Sequence, residues 1–307
     1  GLGDTVRGAL KVLQSDLTQA EVTTSTNFTS FDSNGFTHGS GGRVNENSQT
    51  YVAWCWKAGG TAVTNTVGNI SAQVSANDEA GFSIVTYTGD GGSSGSVGTG
   101  LRQNQPLGMA IVKRRDAASD WQVGHRGSGN LSNFAYHYNL NDAGDVDGSS
   151  PYHMGSQSAT NGDRLYLAGD GAANTVSYVA YVWKEIPGYS KIGTYKGFGN
   201  ENGPIIYCGF RPKFVIVKST THGEHWNIPV DTYNYNGVDK TLSSNLANAE
   251  RDMSGSGLYG DAVDYLSDGF KIKNNDGNYN RGGATFFFMA FADVPNLPHF
   301  NQYPTGR

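Results

Sequence analysis

Three stretches of the chain carry nearly continuous apolar residues, most of them aromatic or β-branched. Residues 51–57 read YVAWCWK, residues 178–184 read YVAYVWK, and residues 286–292 read FFFMAFA. A short apolar run of this composition is typical of a β-strand that is covered on both faces. Three copies of one core strand predict three copies of one structural unit.

The residues around these strands repeat as well. The matched positions are 81–89 with 188–197 (one extra residue at Lys191), 111–113 with 216–218, and Trp121 with Trp226. The copies close on Glu-Ile-Pro at 185–187 and on Asp-Val-Pro at 293–295. The matches predict one repeat unit at residues 81–187 and another at residues 188–296.

The N-terminal residues match only the second half of a unit. Residues 11–21 align with 240–250, and the motif Ser-Asn-Gly-Phe at 33–36 aligns with Ser-Asp-Gly-Phe at 267–270. Residues 1–60 therefore form a partial unit, the C-terminal half of a repeat. Half a β-domain cannot bury its apolar face alone, so we expect the other half to come from another chain, an adjacent unit or upstream sequence.

The remaining segments lie outside the repeats. Residues 61–80 are predicted to form a linker with a hairpin that turns at 67–69, either an extended connector or an added edge strand. Residues 297–307 carry two prolines and no periodicity, which favours an extended tail. Residues 231–260 are polar and poorly patterned, and we expect a loop there.

The pattern predicts an all-β fold made of tandem antiparallel β-sandwich-like (jelly-roll-like) units with long Gly/Ser/Asn loops. The chain has 43 glycines, 17 tyrosines and 14 phenylalanines with 16% charged residues, a composition suited to strands and loops. The best helical candidate is residues 6–17, amounting to one or two turns at most. Further strands are predicted at 82–88, 109–113, 121–123, 134–138, 165–167, 205–208, 214–218 and 269–273.

Charge and hydropathy exclude some classes of partner. The net charge is −5 with a pI of about 5.8, and the basic residues form no stripe along one surface, so we expect no nucleic-acid binding. No apolar run approaches 18 residues, so we expect no membrane insertion. The two cysteines, Cys55 and Cys208, occupy non-equivalent positions of the repeat, which favours a reducing cytoplasm and no disulfide scaffold.

Three motifs could carry chemistry, and each has a plainer explanation. Residues 91–95 fit G-x-S-x-G, but no helix follows them, so a flexible loop is favoured over a nucleophile elbow. Residues 141–148 are acidic but lack the ligand spacing of a calcium loop. His222 and His225 could form a zinc pair, although the matching loop at 116–120 has no histidine. We expect no catalytic residues, no metal and no cofactor.

Aromatic residues are the candidates for binding. Exposed indoles or phenols could stack on a sugar ring or contact a protein, whereas buried ones would be sandwich core. For the two tryptophans, recurrence in both units favours the core. The candidate glycan or protein contacts are Trp121, Trp226, Tyr136, Tyr138, Tyr233 and Tyr235.

Several motifs together resemble repeats found in tail-fibre-like virion proteins of marine tailed bacteriophages. They are Asp-Thr-Val-Arg-Gly-Ala at 4–9, Ser-Asn-Gly-Phe at 33–36, YVAWCWKAGG at 51–60, Val-Ser-Ala-Asn at 74–77, AGFSIVTYTG at 80–89 and YCGFRPK at 207–213. The resemblance covers most of residues 4–296 and implies a structural or receptor-contacting virion protein. It supplies no catalytic residues.

From these features we expect a tail fibre, spike or capsid decoration protein that is assembled in the host cytoplasm and located in the virion. Its expected partners are itself, as a homo-oligomer with a trimer as first choice, other virion proteins and a host cell-surface glycan. Two alternatives are a carbohydrate-binding module on a phage or bacterial surface and a polysaccharide-cleaving enzyme. The first requires that Trp121, Trp226 or the tyrosine clusters are exposed in a concave site, and the second requires two carboxylates about 5–10 Å apart in a groove.

Overall fold

The computed structural model describes residues 1–127, 134, 137–144, 154–173, 175–230, 240–253 and 262–292. In these residues the chain is nearly all β, and the prediction of an all-β fold is confirmed. The strands are β1 (Lys11–Val12), β2 (Val22–Thr23), β3 (Phe28–Asp32), β4 (Gly35–His38), β5 (Val63–Asn65), β6 (Ala72–Asn77), β7 (Phe82–Thr88), β8 (Ser94–Gly98), β9 (Met109–Arg114), β10 (Gln122–His125), β11 (His137–Asn139), β12 (Arg164–Ala168), β13 (Ser177–Trp183), β14 (Ser190–Lys196), β15 (Ile205–Tyr207), β16 (Pro212–Ser219), β17 (Asn227–Pro229), β18 (Lys240–Ser243), β19 (Arg251–Asp252), β20 (Val263–Leu266), β21 (Gly269–Ile272) and β22 (Thr285–Ala292). Three one-turn helices accompany them, α1 (Gly42–Asn45), α2 (Asp170–Ala173) and α3 (Gly277–Asn280).

The chain folds into two compact units. The first contains residues 1–124 and 151–183, and the second contains residues 125–150 and 184–307. The break after Trp183 lies close to the predicted boundary between repeats, but residues 125–150 belong to the second unit although they are part of the first full repeat. The sequence repeats and the compact units are therefore different divisions of the chain, and the proposed repeat boundaries stay a prediction.

In the first unit the main sheet is built around β13. This strand pairs antiparallel with β7 on one side and β9 on the other, so that Trp183 lies opposite both Phe82 and Met109. The hairpin β5–β6 extends the sheet beyond β7. Of the two predictions for residues 61–80, an extended connector or an added edge strand, the edge strand is the one that forms. Strands β8 and β12 form a separate two-stranded sheet.

The second unit repeats this arrangement around β22, which pairs antiparallel with β14 and β16. The sheet has the order β14-β22-β16-β17-β18-β19, and a three-stranded sheet has the order β15-β21-β20. Side chains from both sheets, among them Phe286, Phe288, Phe270 and Tyr265, share one buried core. Burial of large aromatic rings between two sheets is the main source of stability in such an arrangement.

The glycines that begin both full repeats have a structural cause. Gly81 and Gly188, which precede β7 and β14, have φ angles of 64° and 76°. A side chain at such a backbone angle clashes with the neighbouring carbonyl, so glycine is strongly favoured there. The turn into the first strand of each full repeat thus requires the glycine that the sequence repeats.

Most predicted strands are present, with two corrections outside the repeat signature. Residues 6–17 contain turns and β1 instead of a helix, because Gly8 has a φ angle of 93°, outside the helical range, and the Leu17 N–H closes a turn on the Gln14 carbonyl. Residues 231–260 are not only loop, since β18 and β19 lie within them and β18 pairs with β17. The predicted tail at 297–307 lies outside the described residues.

Residues 51–57 are the main correction. Their sequence predicts a core strand, yet they form no strand, and Tyr51 and Val52 are 50% and 46% exposed. In the two matching strands the equivalent residues are buried, since strands on both sides cover them. An apolar sequence cannot make a central strand without flanking strands, because the backbone N–H and C=O groups then have no partners.

The two cysteines are predicted to differ strongly in reactivity. Cys55 is exposed, whereas Cys208 is buried, and burial raises the pKa of its thiol to about 12. Only the thiolate reacts with alkylating reagents, so at pH 8 roughly one Cys208 thiol in ten thousand is reactive. Mass spectrometry after brief treatment with a maleimide should show one label, at Cys55. Equal labelling of both would contradict the burial of Cys208, and Cys55→Ser is the control.

Candidate functional site

The contact that recurs in both units joins a lysine and a tryptophan to a turn. In the first unit Trp121 donates its indole N–H to the Gln14 carbonyl at 2.8 Å and to the Leu17 carbonyl at 3.2 Å. Lys113 Nζ donates to the Thr18 carbonyl at 3.2 Å and to the carbonyl of its neighbour Arg114 at 2.8 Å. Residues 14–18, here named the first turn, are thereby bound through their backbone.

The second unit contains the same contact. Trp226 donates its indole N–H to the Asn139 carbonyl at 3.0 Å. Lys218 Nζ donates to the Ala143 carbonyl at 3.4 Å and to the Ser219 carbonyl at 2.8 Å. Residues 139–143 are named the second turn. Lysine and tryptophan are eight residues apart in both repeats, so one site is built twice from the same positions.

A third turn with the same backbone bond lies at residues 243–247. The fourth residue of each turn donates its N–H to the carbonyl of the first, at 3.3 Å from Leu17 to Gln14, 3.3 Å from Asp142 to Asn139 and 3.2 Å from Leu246 to Ser243. This third turn also contacts the tryptophan of the second unit, since the Ser244 N–H donates to the Trp226 carbonyl at 3.0 Å.

The sequence contained a weak signal for these turns. The alignment of residues 11–21 with 240–250 identified the first and third, but the second was missed because its residues diverge. Their common feature is an acidic or amide side chain at the third position, namely Asp16, Asn141 and Asn245. In the third turn the Asn245 carboxamide oxygen accepts the Trp226 backbone N–H at 3.1 Å.

The lysines at these sites are buried cations. Lys113 and Lys218 are both 0% exposed, and each is the last residue but one of its strand. Burial lowers the pKa of Lys113 to about 8, because a charged ammonium loses its hydration there. The two carbonyl bonds compensate part of this loss, since they supply the oxygen partners that water would supply.

Aromatic rings surround the tryptophan of the second unit. The Trp226 ring meets Tyr138 edge-on at 6.4 Å and Phe287 at 6.2 Å between centroids. His125 stacks on Phe287 at 3.9 Å and on Tyr138 at 5.1 Å. Burial lowers the pKa of His125 to about 4, so the imidazole is neutral at pH 7 and acts as an aromatic packing residue.

The first unit also contains an ion network of buried side chains. Arg7 Nε donates to Asp4 Oδ2 at 2.5 Å, and Arg7 Nη1 donates to Glu21 Oε2 at 3.0 Å. Arg115 binds both oxygens of Glu21, at 2.9 and 3.0 Å. Tyr181 donates its hydroxyl to Asp4 at 2.7 Å, which ties the network to β13. The network fastens residues 4–21 to the main sheet.

Stability of the first unit should fall in acid because of Glu21. Burial acts to raise the pKa of Glu21, but the hydrogen bonds from Arg115 and Arg7 outweigh it and lower the pKa below the ordinary value. A carboxyl whose pKa is lowered by folding stabilises the protein above the ordinary glutamate pKa of about 4.3, and the stabilisation disappears as the pH falls through the folded-state pKa.

Urea denaturation between pH 3 and pH 7 measures this effect. We expect the free-energy difference between the parent and Glu21→Gln to be largest at neutral pH and to shrink as the pH approaches 3. Glu250→Gln is the matched control, because Glu250 occupies the equivalent position after the third turn and is exposed. A difference for Glu21→Gln that stays constant with pH would show that the carboxylate charge is not responsible.

The burial of the aromatic side chains shows which of the candidate glycan or protein contacts are exposed. Trp121 and Trp226 are 0% exposed and Tyr138 is 1% exposed, so none presents a ring face to a sugar. Their selection as exposed contacts is corrected, and the core alternative holds for all three. Tyr136, Tyr233 and Tyr235 lie outside the described residues. The exposed aromatic residues are others, including Tyr51, Phe198 and Tyr207.

The structure places two of the three chemical motifs, and residues 145–148 of the acidic segment at 141–148 lie outside the described residues. Residues 94–95 of the G-x-S-x-G motif begin β8, so a strand and not a helix follows the serines. His222 and His225 each contact a neighbouring polar side chain, Thr221 and Asn245 respectively. Among the described residues there is no group of three metal-ligating side chains, and no helix is long and apolar enough to cross a membrane.

Comparison with known proteins gives a family without an assigned activity. A family model described as a domain of unknown function (DUF7483) matches residues 1–295, which is nearly the whole chain. Neither the curated proteins nor the solved structures contain a match. The family therefore adds no activity, ligand or partner to the geometry described above.

Proposed function

Since the chain belongs to the DUF7483 family, whose function is unknown, we propose from its geometry that it is a structural protein that assembles β-repeats into a rigid scaffold. The particle we propose is a phage virion, with the chain as a tail fibre, a spike or a capsid decoration protein. The assignment to a virion is supported by the resemblance of the repeat motifs to marine phage tail-fibre-like proteins.

The observation that carries the scaffold proposal is the repeated lysine–tryptophan contact with a turn. In each unit the turn comes from one sequence repeat and the lysine and tryptophan come from the following repeat. Turn 14–18 precedes the repeat that carries Lys113 and Trp121, and turn 139–143 precedes the repeat that carries Lys218 and Trp226. Contacts of this kind couple each repeat to the next without any ligand, as in other repeat proteins.

The lysine–tryptophan contact uses only backbone carbonyls of the turn. It therefore tolerates changes in the turn side chains, which explains why the second turn diverges in sequence while its contact is kept. A scaffold that is extended by repeats needs contacts between repeats that do not depend on particular side chains. A catalytic site would instead require particular side chains at particular positions.

The proposed partners are further copies of the chain, forming a homo-oligomer with a trimer as first choice, other virion proteins and a host cell-surface glycan. The proposed location is the virion after assembly in the host cytoplasm. Both cysteines are free thiols, which suits assembly in a reducing compartment. The carbohydrate-binding alternative loses Trp121, Trp226 and Tyr138 as exposed contacts, because all three are buried, and its remaining candidates, Tyr136, Tyr233 and Tyr235, lie outside the described residues.

The mass of the purified chain in solution tests the scaffold proposal. Light scattering and native mass spectrometry at micromolar concentration should show a trimer or a larger assembly. A stable monomer at all concentrations and salt conditions would contradict the homo-oligomer. Tyr207→Lys, which charges an exposed position on edge strand β15, is a useful surface control because it leaves both buried contacts intact.

A further inference from the structure

A cavity lies beside the first turn, in the N-terminal part of the first unit. Its volume of about 320 Å³ is at the lower end of the range of about 300–1,000 Å³ that is usual for small-molecule sites. Val12, Ala20 and Val22 supply its apolar surface, and the other lining residues are glycines, polar residues and one arginine. Among these described residues none carries a carboxylate, so the only formal charge in the lining is positive.

One wall of the cavity is a face of the hairpin formed by β1 and β2. Val12 lies opposite Val22 in this antiparallel pair, and the Thr24 N–H extends the pairing with a bond of 2.8 Å to the Leu10 carbonyl. Side chains two residues apart share one face of a strand. Gln14 therefore follows Val12, and Thr24 follows Val22, along the wall.

The Gln14 carboxamide lines this wall without a protein partner. Its Oε1 atom is buried and accepts no hydrogen bond from the part of the chain that the structure describes. The Gln14 backbone is fixed, because its carbonyl accepts the Trp121 indole N–H at 2.8 Å. The contact that holds the first turn thus also places an unused acceptor at the cavity.

A second carboxamide, that of Asn27, lines the opposite wall. Asn27 is only 8% exposed, and its side chain forms no hydrogen bond with the described residues. Its backbone carbonyl accepts the Gly39 N–H at 2.6 Å, and the Thr26 carbonyl accepts the Gly41 N–H at 2.7 Å. A Cβ at residue 41 would lie 2.7 Å from the Thr26 carbonyl oxygen, so this close approach of the two segments requires glycine.

The polar groups of the cavity call for a partner with several hydrogen-bonding atoms. Buried carboxamides are normally paired with protein, ordered water or a ligand, because an unpaired one costs free energy. Gln14 and Asn27 line one cavity, and so does the exposed Arg43, whose guanidinium forms no ion pair or hydrogen bond with the described residues. The cavity is several times larger than a water molecule, which occupies about 30 Å³ in the liquid.

We propose that this cavity binds a sugar that carries a carboxylate, with Arg43 on the carboxylate and the Gln14 and Asn27 carboxamides on ring hydroxyls. The arginine fork matches a carboxylate in both geometry and charge. A carboxamide donates and accepts, as neighbouring sugar hydroxyls do. The Val12–Val22 pair suits the C–H face of a pyranose ring. The proposal rests on the proposed function and gives its host cell-surface glycan a site and a chemical class.

Two glycosides that differ only at C6 test this proposal. Methyl β-D-glucuronide carries a carboxylate there, and methyl β-D-glucoside carries a hydroxymethyl group. Titration of the full chain, followed by ligand-observed NMR, should give a dissociation constant for the glucuronide about tenfold or more below that for the glucoside, because charge-assisted hydrogen bonds are about twice as strong as neutral ones.

Three variants assign the binding to this cavity. Arg43→Gln should abolish the preference for the glucuronide and leave glucoside binding unchanged, whereas Gln14→Ala should weaken binding of both glycosides. Arg102→Gln is the matched control, because Arg102 lies in the same unit, is 74% exposed and does not line the cavity. It should change neither dissociation constant.

Different results would overturn different parts of the proposal. Absence of binding at millimolar concentration, both for the glucuronide and for the methyl glycoside of N-acetylneuraminic acid, would overturn the site. Equal affinity for the glucuronide and the glucoside would overturn recognition of the carboxylate. An Arg43→Gln variant that melts at the parent temperature and binds the glucuronide as the parent does would show that the sugar binds elsewhere.

The sugar titration and the mass measurement can fail separately. A trimer that binds neither acidic sugar would keep the scaffold and remove this site. A monomer that binds the glucuronide through Arg43 would keep the site and remove the homo-oligomer. A glycan that the parent and Arg43→Gln bind equally well would keep the glycan partner but place it outside this cavity.

Discussion

Replacement of Trp226 by alanine is expected to lower the free energy of unfolding of the second unit by about 3–5 kcal/mol. The indole is 0% exposed and contacts Tyr138 and Phe287, so its removal leaves a cavity between packed rings. It also leaves the Asn139 carbonyl without the indole donor that binds it at 3.0 Å. Both losses act in the same direction.

Two variants separate these contributions. Trp226→Phe keeps most of the ring but removes the N–H, and we expect a cost of about 1–3 kcal/mol from the carbonyl that loses its donor. Tyr207→Ala truncates a side chain that is 67% exposed in the same unit, and we expect a change within about 0.5 kcal/mol. Denaturant unfolding followed by circular dichroism measures all three.

If Trp226→Ala were as stable as Tyr207→Ala, the result would contradict the view that the Trp226 contact holds the turn. Trp121→Ala should behave similarly in the first unit, where the indole binds two carbonyls. Because the chain has two compact units, the unfolding curves should be fitted with two transitions wherever the probes fail to coincide.

Replacement of Arg7 by methionine should cost about 3–5 kcal/mol in the first unit, because it leaves the buried Asp4 carboxylate without its cation and leaves Glu21 with Arg115 but without Arg7. The Arg7 side chain is 0% exposed, and those of Asp4 and Glu21 are 3% and 8% exposed. Arg7 also donates to the Tyr181 hydroxyl at 2.9 Å, so the change loosens the hold of residues 4–21 on β13.

The control is Arg102→Met. Arg102 pairs with Asp78 at 3.0 Å, but its side chain is 74% exposed, and exposed pairs contribute at most about 1 kcal/mol. Limited proteolysis should cut the N-terminal segment faster in Arg7→Met than in Arg102→Met. Neutralising the carboxylate that has lost its cation, by adding Asp4→Asn, should recover part of the loss.

Equal stability of Arg7→Met and Arg102→Met would show that the buried network contributes no more than a surface pair. Failure of the Arg7→Met/Asp4→Asn double variant to recover stability would place the loss in packing of the long side chain and not in the unpaired Asp4 charge. The two results therefore distinguish an electrostatic from a packing role for Arg7.

The pattern of apolar residues predicted strands correctly wherever a strand pairs with other strands of its own repeat. Strands β7, β9, β13, β16 and β22 are continuous apolar runs, and such runs make central strands when flanking strands are present. The repeat also predicted the shared antiparallel arrangement around β13 and β22. The same reasoning failed for residues 51–57, since it recognises the strand but not whether its neighbours exist.

The candidate site was only partly accessible from sequence. Recurrence of Trp121 and Trp226 was visible, and so was recurrence of the lysines before them, but nothing in the pattern joined them to a turn. The carbonyls they bind belong to every residue type, so they leave no trace in the sequence. The Arg7–Glu21–Arg115 network spans residues far apart in the chain and was likewise invisible.

The sequence by itself determined the all-β class, the repeats and the positions of the core strands, because alternation, apolar runs and turn glycines act over a few residues. Only the tertiary structure decided that Trp121 and Trp226 are buried, that they bind backbone carbonyls, and that residues 51–57 form no strand. Burial and backbone hydrogen bonding depend on which segments meet in space, and the residue types alone do not encode that meeting.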